Sequence, residues 1–179
     1  MKKTVWTFGL ISGAILGVMM LVTTPFQDAI GDKGEVIGYT TMVLSFLLVY
    51  FGVRSYRDTV GGGTVGFGRA FAVGALIVGV ASVCYVATWQ LVYYKLSPNF
   101  VAKYEAKMIE KAKASGASQA AIDQKVADAH KFMELYKNPV LNVAFTFLEP
   151  LPVGLLTALI SAAILRKKRP GRSGVLATA

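Results

Sequence analysis

Apolar residues run along this chain in four long blocks, at 5–24, 36–53, 70–94 and 140–165, separated by shorter polar stretches and one longer one. A hydrocarbon core about 30 Å thick needs about 20 apolar residues in helical form, so each block predicts a membrane-crossing helix. The second, of 18 residues, is the shortest. The longer polar stretch has its own pattern. Val101, Tyr104, Met108 and Ala112 recur at helical spacing after Ser97-Pro98, a capping residue followed by proline at a first helical position. Ser115-Gly116 interrupts this run, and Ile122, Val126, Ala129, Met133 and Tyr136 resume it from Ser118 to a stop at Asn138-Pro139. The expected architecture is all-α: one domain over 1–179, an integral membrane four-helix bundle with an extramembrane helical hairpin at about 98–137, between the third and fourth spans.

Composition agrees: 54% of residues are hydrophobic and 16% charged, against roughly 25% charged in a soluble domain. Lys2 and Lys3 precede the first block as they would a signal peptide. The block is too long for a cleavable core of about 7–15 residues and Thr23-Thr24-Pro25-Phe26 has no small-residue cleavage pattern, so it reads as a retained helix. The net charge of +9 is explained by position rather than by nucleic-acid binding. Lys2 and Lys3, then Arg54, Arg57 and Arg69, then Arg166, Lys167, Lys168, Arg169 and Arg172 fall on one side of the four spans. By the positive-inside rule that side is the cytoplasm, which puts both termini inside at an inner membrane. The first loop, with Asp28, Asp32, Lys33 and Glu35, is net acidic and fits outside. The hairpin loop carries eight lysines and five acidic residues, but its charges are mixed and mostly distant from a boundary.

In lipid, helices approach each other through small residues. Gly9, Gly13 and Gly17 line one face of the first span; Ala70 with Gly74, and Ala75 with Gly79, do so on the third; Gly154, Ala158 and Ala162 do so on the fourth. Each is expected to be a seam inside one bundle, with a homodimer seam as the alternative. The run from Gly61 to Gly68 lacks the Gly-Lys-Ser/Thr ending of a phosphate loop and follows a membrane helix, so it reads as a flexible turn, with Arg69 at headgroup level where it can snorkel to phosphates.

Candidate chemistry is sparse. There is one histidine, His130, and one cysteine, Cys84, and no catalytic motif such as HExxH or GxSxG, so neither an enzyme nor a cofactor or metal site is expected. Glu149 is the one acidic residue within the four blocks. It lies 17 residues before Arg166, roughly 25 Å at about 1.5 Å per residue, hence near the outer edge of the core. Gln90, Trp89, Tyr85, Tyr93 and Tyr94 reach a similar level and predict an aromatic belt offering Glu149 a hydrogen-bond partner. Pro150 and Pro152 lack N–H groups and predict a kink there or a late start of the last helix.

The segment Gly66-Phe67-Gly68-Arg69-Ala70-Phe71, the polar helical insert after the third span, and 146–156 running into 159–165 with its basic end resemble a bacterial family of uncharacterised four-span membrane proteins, a domain of unknown function. The resemblance implies an inner-membrane location and supplies no activity or site residue. The functional expectation is a noncatalytic protein acting through its hairpin or helix seams, in contact with the lipid bilayer and with another membrane or periplasmic protein. A small ion-coupled carrier with Glu149 as its proton site is the alternative.

Overall fold

A computed structural model describes residues 1–31 and 33–167, without the side chains of Gln27 and Asp28. Asp32, Lys168, Arg169 and Arg172 of the charge pattern lie outside the described residues. The element order is α1 (Lys2–Thr23), a 3₁₀ turn (Thr24–Phe26), α2 (Gln27–Ile30), α3 (Lys33–Thr59), α4 (Phe67–Leu91) continued by a π turn (Val92–Leu96), α5 (Phe100–Ala114), α6 (Gln119–Tyr136), α7 (Pro139–Leu148) and α8 (Leu151–Leu165). Four segments, Lys2–Phe26, Lys33–Thr59, Phe67–Leu96 and Pro139–Leu165, are long and apolar enough to cross a membrane. The second is 27 residues, or about 40 Å, so the 18-residue block understates a helix whose polar ends continue past the apolar run.

Chain directions follow from what touches what. A Cβ added to Gly9, Gly13 or Gly17 would lie 2.6, 2.5 or 2.7 Å from Val80, Cys84 or Thr88. The constant offset means that α1 and α4 run parallel and in register, the glycine line of one receiving a ridge of side chains from the other. Gly74 meets Ala158 and Val49, and Gly154 meets Val78 and Phe46, so α8 lies against both α4 and α3. Gly52 of α3 receives Ile77 and Phe8. The spans are thus arranged around the bundle as α1, α4, α8, α3, with α4 also touching α3 across the middle.

The interior is built from small and β-branched residues. Phe46, Val49, Val53, Val73, Ile77, Val78, Ala81, Ala158 and Ala162 are fully buried. Large apolar side chains point outward instead, as with Leu44 (60% exposed), Val83 (60%) and Ile164 (64%). That is the distribution expected where the surroundings are as apolar as leucine. Polar glue joins the α1–α3 seam: Ser45 Oγ donates to the Ser12 carbonyl (2.8 Å) and Ser12 Oγ to the Ser45 carbonyl (3.2 Å), with both side chains buried.

Several expectations need correction. Among the described residues no atom of another helix lies within 4 Å of a Cβ added to Gly79, so the Ala75/Gly79 line is not a seam; the Ala70/Gly74 face is the one turned inward. The glycine-rich turn is not a loose one: Gly61 N–H bonds the Tyr56 carbonyl, Gly63 N–H the Arg57 carbonyl, and Val65 and Lys167 exchange two backbone hydrogen bonds. Gly62 and Gly63 adopt positive φ (59° and 81°), which explains two of its glycines. Ser97 does not cap α5, which starts at Phe100 after Asn99; its N–H instead closes the π turn on the Val92 carbonyl. Asn138 begins α7 as much as it ends α6, since its Oδ1 accepts from Val140 and Leu141 N–H with Pro139 at the first helical position.

Gly13→Val should lower the stability of the detergent-solubilised protein by about 1–3 kcal/mol, because Cys84 leaves no room for the new methyls. Gly79→Ala, which enters open space, should be neutral or slightly stabilising. Denaturation curves of the two variants check this, and equal losses would contradict the assigned seam.

Candidate functional site

The polar residues singled out from the sequence divide between the two ends of the bundle. Glu149 and Gln90 stand at the end that carries the hairpin, and Arg69 at the other.

Glu149 sits at the junction of α7 and α8. Glu149 and Pro150 keep right-handed helical dihedrals (φ −59°, ψ −51° and φ −78°, ψ −15°), so the prolines kink a continuing rod rather than delaying its start. Glu149 is exposed on the bundle surface and accepts a hydrogen bond from the Tyr85 hydroxyl (3.0 Å). Of the expected partners, then, a tyrosine holds Glu149 and Gln90 does not.

Gln90 Nε2 donates to Asn142 Oδ1 (2.8 Å), joining α4 to α7. Asn142 is fully buried, and its Nδ2 reaches back to the Tyr136 carbonyl at the end of α6 (3.4 Å). The Asn142 carbonyl accepts from the buried Thr146 hydroxyl (2.8 Å), whose oxygen lies 3.4 Å from the Tyr136 hydroxyl. One amide thus ties together a membrane-length helix, the hairpin and the start of the last span.

Aromatic rings surround this amide. Phe100 of α5 stands edge-on to Trp89 (centroids 4.8 Å apart, 82°) and stacks on Tyr104 (5.4 Å). Tyr136 of α6 packs against Tyr93 (6.0 Å) and lies parallel to Phe145 of α7 (6.3 Å, 6°), which also meets Phe132 (5.5 Å). The expected belt at Trp89 and Tyr93 is therefore, in large part, the floor on which the hairpin rests; Tyr94 stays exposed. Each such pair adds about 0.5–1.5 kcal/mol beyond its burial. Burial raises the Tyr136 phenol above its ordinary value against the opposing influence of the nearby Thr146 hydroxyl and Trp89 indole; burial, with the Glu35 carboxylate adding to it, raises Tyr104 as well. Both stay neutral at physiological pH. Among the described residues the Trp89 N–H finds no acceptor and the buried Ser82 hydroxyl no hydrogen-bond partner.

The hairpin closes on itself through Ala112, Ala129 and Met133, all buried. Gly116, at φ 69°, makes its turn. His130 pairs with Glu105 across the two helices, and Lys111 reaches Glu35 at the start of α3 (3.3 Å), a second tie to the bundle. Among the described residues no three His, Cys, Asp or Glu side chains gather closely enough to hold a metal. Phe100, Phe132, Asn142 and Phe145 were not singled out by sequence reasoning. Asn142 alone carried a signal, as an amide inside an apolar block.

At the other end Arg69 Nη1 lies 3.4 Å from the Tyr56 hydroxyl, beside the Gly61–Gly66 turn.

Asn142→Ala removes the acceptor of a part-buried amide and should cost about 1–3 kcal/mol. Because the loss falls where the hairpin meets the bundle, trypsin should cut the hairpin faster in this variant than in wild type. Unchanged cleavage would mean that the amide does not hold the hairpin down.

No curated protein and no solved structure matches the chain. A family model described as a protein of unknown function, DUF4199, matches residues 7–167, from the first glycine seam to the residue that bridges to Val65. The chain belongs to the DUF4199 family.

Proposed function

We propose that the protein is a noncatalytic, multi-pass component of a bacterial inner membrane, with both termini in the cytoplasm, which works by holding its helical hairpin in a fixed pose for a membrane or periplasmic protein partner. The observation that carries this reading is the docking of the hairpin. Trp89, Phe100, Tyr136, Phe145 and the Gln90–Asn142 amide pair fasten one side of it to the bundle. Between its two helices the hairpin keeps an open groove of about 450 Å³ lined by Met108, Ala112, Ala129 and Phe132 and flanked by Lys111, Lys125 and Asp128. A mere connection between spans needs neither a rigid seat nor an amphipathic groove. The orientation is supported by Lys2, Lys3, Arg57, Arg69, Arg166 and Lys167, which belong to segments ending opposite the hairpin.

The carrier reading has one observation in its favour, a carboxylate at a break in a membrane-length helix, where transporters often keep their sites. Against it stand the outward exposure of Glu149 and its bond to Tyr85, which give it a structural use.

A photocrosslinking amino acid in place of Met108, at the groove, should trap one defined protein in cells, and Phe100→Ala should weaken that adduct by loosening the seat. Lipid or self adducts alone would sink the proposal. In proteoliposomes, wild type and Glu149→Gln should show the same proton permeability. A wild-type proton flux abolished by that substitution would move the assignment to the carrier.

A further inference from the structure

Where α3 ends, α4 begins and α8 ends, the three segments leave a cleft of about 440 Å³ that the hairpin account does not use. Arg69 and Lys167 line it, together with the Tyr56 and Thr64 side chains and the backbone at Gly66. Among the described residues no carboxylate is part of its wall. Asp58, the acidic residue nearest in sequence, is held by Arg57 (2.7 Å) and approached by Arg54 (3.7 Å), and Lys167 is near enough to add a weaker attraction without forming an ion pair.

The cleft is built rather than incidental. The paired backbone hydrogen bonds of Val65 and Lys167 (3.1 and 2.9 Å) fix the chain after α8 against the glycine-rich turn, and so bring a lysine from one segment to an arginine from another. Thr64 Oγ1 bonds the Gly61 carbonyl and locks the turn itself. Neither Arg69 nor Lys167 forms an ion pair among the described residues; the one side-chain bond of Arg69 is the long contact to Tyr56. The 25-residue α4 starts at Gly66 with no side chain capping it, so its first N–H groups add partial positive charge beside the two cations.

Depth identifies the ligand. Thr59, Phe67 and Leu165 are the ends of three membrane-length segments, and the cleft lies among them. Lipid phosphates occupy that level of a bilayer. We propose that the cleft binds a phosphate group, that of an anionic lipid headgroup, with Arg69 and Lys167 as its charged ligands. Arg69 offers a forked donor set suited to phosphate oxygens, and Lys167 a point charge. The site makes no demand on what the hairpin does, so the two proposals stand or fall separately.

The test is native mass spectrometry of the full chain released from nanodiscs containing phosphatidylglycerol and phosphatidylcholine in equal amounts. Wild type should retain the anionic lipid over the zwitterionic one by roughly thirtyfold, since about 1 kcal/mol for each of two basic residues near an anionic surface converts at about 1.4 kcal/mol per tenfold. Arg69→Gln combined with Lys167→Gln should bring the ratio close to parity, and Arg69→Lys should keep most of it. Inorganic phosphate at millimolar concentration should leave the lipid in place; displacement would assign the same phosphate chemistry to a soluble ligand instead. Equal retention of the two lipids by wild type would overturn the proposal, and this comparison needs no variant to fold. A preference unchanged in the double variant would overturn it equally.

Discussion

Helices surrounded by hydrocarbon gain almost nothing by burying leucine, so they must come close enough for backbone and small side chains to touch. In this protein that constraint is met first by Gly9, Gly13 and Gly17, which take Val80, Cys84 and Thr88 into the surface of α1. The remaining contacts follow from that register. With α1 seated on α4, Ser12 reaches Ser45 and Phe8 reaches Gly52, which brings α3 in from the side. Gly74 and Gly154 then admit α8 against α4 and α3. α4 is the hub, touching each of the other three membrane-length segments, and its fully buried residues Val73, Ile77, Val78 and Ala81 form the centre of the bundle.

The same helix carries the seat for the hairpin. Trp89 and Gln90 lie at its last turn, and the π turn at Val92–Leu96 leads the chain away from them toward α5. Ring packing is tolerant of small displacements, whereas the amide pair Gln90–Asn142 is not, so the two interactions divide the work. The amide, with its second bond to the Tyr136 carbonyl, sets the register of α7 against α4 and α6. Kinking at Glu149 and Pro150 then lets one rod serve two surroundings, with α7 packed beneath the hairpin and α8 within the bundle.

Much of this architecture is legible in the sequence because membrane helices are long, apolar and punctuated by charge. The first-span glycine line and the placement of Arg69 follow from spacing alone. What spacing does not carry is phase. Ala70/Gly74 and Ala75/Gly79 satisfy the same four-residue rule, and only the neighbours decide that Gly74 meets Ala158 while Gly79 meets nothing. Pairings distant in sequence are equally hidden: Ser12 and Ser45 are 33 residues apart and Gln90 and Asn142 are 52 apart. Glu149 was expected to share a hydrogen bond with Gln90 or a tyrosine, and the fold gives it Tyr85 because Gln90 is taken by Asn142. Hairpin aromatics such as Phe100 and Phe132 read as ordinary amphipathic positions until Trp89 and Phe145 are found facing them.

The central claim is that the hairpin is a fixed part of the bundle and not a tethered loop. Pulsed electron paramagnetic resonance on the full chain in nanodiscs, with nitroxides at positions 35 and 111 in a Cys84→Ser background, tests it most directly. Those positions are joined side chain to side chain across α3 and α5 in the wild type. A single narrow distance distribution, one that persists when the ion pair is replaced by the labels, is the predicted result. A broad distribution extending to long distances would contradict the account, because the aromatic seat and the Gln90–Asn142 pair would then not be holding α5 in place.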